Sequence, residues 1–186
     1  MPQKKTFDWM RQQLNGFMRT QIIAAAANLS LAEHLQDGPQ TVDEASETGL
    51  DREMAFRLLR ALAMIGLVGS DDERTFHSLP PLETLRSNIP GSLRDLAMVF
   101  ATPAQYLPWG YFLQGIKTGL PQATTALGSD IFDYYAHHPE ETAIFQKTMQ
   151  ASTAGVTAEI ARSALTLRRA SPPLMSEARQ GRCSTA

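Results

Sequence analysis

The sequence predicts a mainly α fold with one small β-hairpin, arranged as a winged helix and followed by a disordered C-terminal tail. Three observations carry this. Apolar residues recur at three- and four-residue steps through most of the chain. Two short helical patterns joined by a tight turn lead into two short apolar runs around a charged turn. Beyond Ala161 the pattern gives way to Arg, Ser, Ala and Pro, a composition that buries little apolar surface.

Taken in order, Leu14, Phe17, Met18, Ile22, Ile23 and Ala26 mark the first amphipathic helix. Leu31 to Leu35 gives a short helix, closed by the turn signal Asp37-Gly38-Pro39. Thr41-Val42-Asp43-Glu44 has the form of a capping box. The Thr41 hydroxyl accepts from the Glu44 amide while the Glu44 carboxylate reaches back. That helix is short, ending near Gly49. Asp51 caps the next, which carries Ala55, Leu58, Leu59, Leu62 and Ile65, with Gly66 as its stop. Leu67 to Ser70 and Thr75 to Leu79 flank Asp71-Asp72-Glu73-Arg74 as the hairpin. Helix-turn-helix plus hairpin is the winged-helix pattern.

After Pro80-Pro81 the chain turns helical again. Leu93, Leu96, Ala97, Phe100 and Ala101 form one stripe, and Tyr106 to Ile116 a second. Gly119 to Gly128 reads as a loop. Ile131 to Ala136 is a short aromatic helix, and Pro139 opens a last one that runs to about Ala161. The many Met and aromatic residues of this half are mostly core, and a subset lines a pocket for a flat apolar ligand.

The net charge of −2 is a cancellation. Residues 1–161 hold twelve Lys and Arg against eighteen Asp and Glu, net −6. Residues 162–186 hold five Arg against Glu177, net +4. An acidic body weighs against nucleic acid as a partner, although Arg52, Arg57 and Arg60 sit on the second helix of the helix-turn-helix. A winged-helix DNA-binding transcriptional regulator is the competing reading.

A single Cys, Cys183, excludes a disulfide framework. Four His without metal-ligand spacing give no metal site. The longest apolar run, Ile22 to Ala27, is too short to span a bilayer, and the first residues have no signal-peptide pattern. The expectation is a cytoplasmic protein with no membrane partner. No glycine-rich phosphate loop follows a strand and no serine elbow occurs, so no catalytic residue is assigned in this chain.

An ordered series of segments resembles the N-terminal half of adenosylmethionine-dependent O-methyltransferases. These are the caffeic-acid type and their bacterial relatives acting on polyketides, phenazines and carotenoids. The series is Gly16 to Ile23, Leu31 to Leu35, Thr41 to Glu47, Arg57 to Leu67, His77-Ser78-Leu79, Trp109, Lys117-Thr118-Gly119 and Phe145 to Met149. Leu79-Pro80-Pro81-Leu82-Glu83 departs from it, lacking the Thr and Gly that the family has after the hairpin.

The resemblance implies that residues 13–161 are a winged-helix dimerisation domain forming a homodimer, with Phe17, Ile22 and Ile23 at the interface. It implies one wall of a small-molecule substrate pocket, with Trp109, Phe145 and Met149 on it. It also implies S-adenosylmethionine as cofactor for the family, bound with the catalytic base by a following Rossmann-like domain. This chain is expected to end before that domain, to bind no cofactor and to be inactive alone. Codons regrouped across residues 174–184 permit Asp-Val-Gly-Gly-Ala-Thr-Gly-x-Leu-Leu, which looks like the family's cofactor loop. Residues 162–186 are therefore expected to be a frameshifted tail.

Overall fold

The structure is a computed structural model that describes residues 2–46, 49–72 and 74–151. The chain divides into Met1–Ala151 and Ser152–Ala186. The expected disordered stretch 162–186 lies outside the described residues.

Helices α1 (Pro2–Leu14) and α2 (Gly16–Asn28) open the chain. The Asn15 amide donates to Arg11 O and the Arg19 amide to Asn15 O, each at 3.1 Å. Four-residue hydrogen bonding thus passes through the junction, and the two helices form one rod. The sequence reading starts the domain at residue 13 and has no α1. Polar residues fill most of α1, and its stripe of Phe7, Met10 and Leu14 is too narrow to read as a core-facing helix.

Next come α3 (Leu31–His34), β1 (Gln40–Thr41), α4 (Val42–Ser46), α5 (Arg52–Met64), β2 (Val68–Ser70) and β3 (Thr75–Ser78). The local signals form as read. Thr41 N donates to Glu44 Oε2 at 2.7 Å and Glu44 N to Thr41 Oγ1 at 3.3 Å, the reciprocal pair of a capping box. Asp51 Oδ1 accepts from Met54 N at 2.9 Å. Gly66, at φ 79°, ends α5. There the Leu67 amide reaches Leu62 O at 3.0 Å and the Gly66 amide Ala63 O at 3.1 Å, a Schellman closure. The hairpin pairs antiparallel with Val68 opposite Ser78, and β1 adds a third strand in the order β1-β3-β2. A two-residue strand leaves no alternation to read, so it escaped the sequence analysis.

The core lies where α2, α3, α5, the sheet and α6 (Pro80–Glu83) meet. Leu62 and Leu82 are fully buried, and Phe56 meets Phe76 edge-on at 6.4 Å. Helix α7 (Arg94–Phe100) then packs on α2.

Where one helix is read from Tyr106 to Ile116, the chain forms three pieces. They are α8 (Pro103–Tyr106), a 3-10 turn (Leu107–Tyr111) and α9 (Phe112–Thr118). Pro108 has no amide to donate and disrupts the α-helical ladder. The expected loop from Gly119 to Gly128 holds a further short helix, α10 (Ala123–Leu127). Left-handed Gly119 and Gly128 stop α9 and α10, and α10 packs back on the 3-10 turn. Helix α11 (Ile131–His137) follows, capped by Asp130, and then α12 over residues 139–151.

Candidate functional site

The broken aromatic segment forms the most exposed apolar surface of the second half. Trp109 is 67% exposed, and its ring stands 5.4 Å from that of Phe112. The 3-10 turn exposes both because its tight winding and Pro108 keep them off a core-facing helix. Trp109 borders two grooves. One, of 660 Å³, is lined by Phe17, Tyr106, Leu107, Trp109, Gly110 and Tyr111. The other, of 500 Å³, runs along α9 past Phe112, Ile116 and Leu120. Phe17 stacks on Tyr106 with ring centroids 5.9 Å apart, which ties the rod to the first groove.

Phe17, expected at the interface, and Trp109, expected in the pocket, thus share one groove. The other expected residues lie elsewhere. Ile22 and Ile23 are half-buried against this chain's own core, and Ile23 also borders a 280 Å³ apolar cavity between α2, α6 and α7. Phe145 stacks on Tyr135 at 4.8 Å, and Met149 is half exposed on α12. Neither borders the Trp109 grooves.

A polar seam holds α12 to α8. Glu141 Oε2 accepts from the Ala104 amide at 3.3 Å, and Glu141 Oε1 accepts from the Tyr134 hydroxyl at 3.0 Å. Gln105 Nε2 donates to the Tyr135 hydroxyl at 2.9 Å. Burial, and then the adjacent Glu141 carboxylate, raise the Tyr134 pKa, so its proton stays on the phenol. Glu141 and Gln105 were not singled out from sequence. Each contact spans thirty or more residues or an unsignalled turn, and no local pattern marks it. Tyr106 and Tyr111 are legible as aromatics, but their convergence on Phe17 is not.

The histidines fill structural places. His137 Nδ1 lies 2.8 Å from Asp133 O, and His138 Nδ1 lies 2.7 Å from Tyr134 O. Among the described residues no group of His, Cys, Asp and Glu could hold a metal ion, and no helix is long and apolar enough to cross a membrane. The arginines of the helix-turn-helix are engaged. Arg52 grips the Asp43 carboxylate with Nε and with Nη2, the latter at 2.9 Å. Arg57 pairs with Glu53, and Arg60 lies over the Phe56 ring at 5.6 Å. The pairing with Arg52 holds the Asp43 carboxyl below its ordinary pKa. Phosphates would have to displace these partners.

The site offers no acid–base pair converging on a substrate position. It offers a shallow aromatic surface suited to a flat apolar body and a helix face next to it.

Comparison with known proteins bears on both. Residues 11–82 match the model of the O-methyltransferase dimerisation domain. A phenazine O-methyltransferase of Lysobacter antibioticus is 31% identical over 151 residues, covering 81% of this chain and 43% of that protein. The crystal structure of LaPhzM superposes with a TM-score of 0.77 at 28% identity, over 84% of this chain and 47% of that one. A methyltransferase of calicheamicin biosynthesis, solved in its SAH-bound form, gives 0.70 at 25% identity, over 83% of this chain and 46% of that one. The chain therefore spans less than half the length of the relatives it matches.

Proposed function

We propose, with residues 11–82 an O-methyltransferase dimerisation domain as the premise, that this chain forms a homodimer and supplies an aromatic wall to a methyl-acceptor pocket. The acceptor is a hydroxyl on a small flat aromatic or polyketide-like molecule. The winged-helix arrangement serves as a packing scaffold rather than a nucleic-acid reader. The observation that carries this is the matched domain continuing into the exposed Trp109 ledge. The named phenazine specificity of one relative suits such a ledge, because stacking on an aromatic face selects planar rings.

S-adenosylmethionine is the methyl donor on this reading, as the SAH-bound relative supports. The described residues do not fit it. A nucleoside donor needs a glycine-rich loop between a strand and a helix, so that backbone amides and the helix end face it. Here the only strands among the described residues are three short antiparallel ones. Gly66, Gly119 and Gly128 are spent on stopping helices. What these residues do is bind, orient and exclude water.

Residues 162–186 we assign to a shifted reading frame. The nucleotide sequence tests this, since a shifted frame without the glycine-rich loop refutes it.

Light scattering on the purified chain tests the dimer. Calorimetry tests the wall, with 1-hydroxyphenazine and S-adenosylmethionine titrated separately. A dimer that binds the phenazine and not the donor supports the reading. A monomer, or measurable donor affinity, overturns it. Salt-sensitive retardation of duplex DNA favours the regulator instead.

A further inference from the structure

We propose that α1 is an exchanged arm: in the dimer, the apolar face of α1 from one copy lies in the Phe17–Tyr106–Trp109 groove of the other. This rests on the homodimer reading above and names the surfaces that make it.

The first observation is that α1 has nothing of its own to lie on. From residue 4 to residue 14 none of its positions is buried. Phe7, Met10 and Leu14 are 62%, 48% and 73% exposed. Their spacing puts them on one face of the helix. The hydrogen bonds through Asn15 make α1 a stiff continuation of α2. It projects about 20 Å beyond the junction at the rise of an α-helix. Folding it back over its own core would break that rod. A helix this short is marginal in water without packing, so its apolar stripe needs a cover.

The second is the acceptor. Phe17 lies one turn beyond Leu14 on the same side of the rod, and Phe17 borders the 660 Å³ groove. Gly110 widens that groove, with nothing within 4 Å of where its Cβ would stand. Stripe and groove are therefore neighbours on one protomer. A two-fold axis requires this self-complementary layout, with the stripe of each copy crossing the groove of the other in antiparallel sense.

The third is charge. Residues 1–14 carry Lys4, Lys5 and Arg11 against Asp8, while residues 15–161 carry nine Lys and Arg against seventeen Asp and Glu. A basic arm is drawn to an acidic body, and the rod keeps each arm clear of its own. The matched dimerisation domain also begins inside α1, at residue 11.

The test uses full-length chains in which Cys183→Ser removes the native thiol. Met10→Cys is made in one preparation and Tyr111→Cys in another, each with a different tag. The two are mixed, exchanged and mildly oxidised. A disulfide between the two tags at twice the chain mass is the expected result, because only an arm crossing to the other copy brings these positions together. Pairing Met10→Cys with Met64→Cys, on the 86% exposed end of α5, should give no such band. Light scattering runs in parallel on Phe7→Asp/Met10→Asp, with circular dichroism to check folding. The expected shift is from dimer to monomer without loss of helix in the body. A dimer without the Met10–Tyr111 disulfide, or one that survives the double substitution, overturns the arm and leaves the homodimer standing. A parent chain that is monomeric, or that associates only with lipid vesicles, overturns both.

Discussion

The Glu33 carboxylate in α3 accepts the backbone amide of Ser87, 54 residues further along the chain, at 2.8 Å. It also faces Arg94 at 3.4 Å, and Arg94 reaches on to Ser30 Oγ at 2.9 Å. This clamp fixes the connection between α6 and α7, and so the position of α7 on α2. Burial alone would raise the Glu33 pKa. The Ser87 amide and hydroxyl and the Arg94 charge outweigh it and hold the value below the ordinary 4.5. The folded value is depressed, so the contribution is present above about pH 4.5 and is lost as pH falls through the folded value. Glu33→Gln keeps the shape and removes the charge. It should cost about 1–2 kcal/mol in urea unfolding at pH 7, the range for a hydrogen bond to a charged group. Repeating the melts at successively lower pH should show the two proteins converging below pH 4.5. A gap that stays constant with pH would show that the charge is idle.

Leu62 is fully buried in α5, among the apolar residues that also include Phe76 and Leu82. Leu62→Ala removes buried methyl groups and leaves a cavity that close packing does not collapse. The expected loss is about 2–5 kcal/mol, read as a lower midpoint in chemical denaturation. Met64→Ala, two residues along and 86% exposed, should move the midpoint little and serves as the control.

The first half of the fold was legible because its signals are local. Thr41 and Glu44, Asp51 and Met54, and Gly66 and Leu62 are within five residues of one another, and each pair bonds as residue chemistry requires. What stayed hidden depends on distance. β1 exists only because β3 lies beside it, with Gln40 opposite Phe76. α10 is held by the 3-10 turn against which it packs, and not by any periodicity of its own. The site divides in the same way. Trp109 and Phe17 were legible as aromatic residues of a recognisable series. Nothing in the sequence says that Phe17 reaches Tyr106 across 89 positions or that Phe145 turns instead to Tyr135.

The capping box gives a prediction with an internal check. Thr41→Ala removes the oxygen that the Glu44 amide uses and leaves the Glu44 carboxylate with only the Thr41-position amide. The loss should be about 1 kcal/mol, as for other helix N-caps. Hydrogen bonds from the Thr41 amide and hydroxyl hold the Glu44 pKa below its ordinary value. Titration followed by carbon NMR should show the Glu44 carboxyl moving up toward that value in the variant. A stability loss without this movement would place the effect in the β1–β3 pairing at Thr75 instead.

Trp109 separates a binding role from a structural one. Its side chain is two-thirds exposed, and its ring contact is with Phe112 on the same surface. Trp109→Ala should therefore change the unfolding midpoint by no more than about 0.5 kcal/mol, as surface substitutions do. If the ledge is the wall for a planar acceptor, the same substitution removes a stacking face worth about 0.5–1.5 kcal/mol. Binding of 1-hydroxyphenazine should then weaken roughly two- to tenfold by calorimetry. Trp109→Phe retains a ring and should recover most of it. Phe145→Ala should behave in the opposite way. Its stacking on Tyr135 holds α12 against α11, so stability should fall while the affinity of the folded protein changes less. An affinity that follows Phe145 and ignores Trp109 would move the pocket to the α11–α12 side and refute the ledge as its wall.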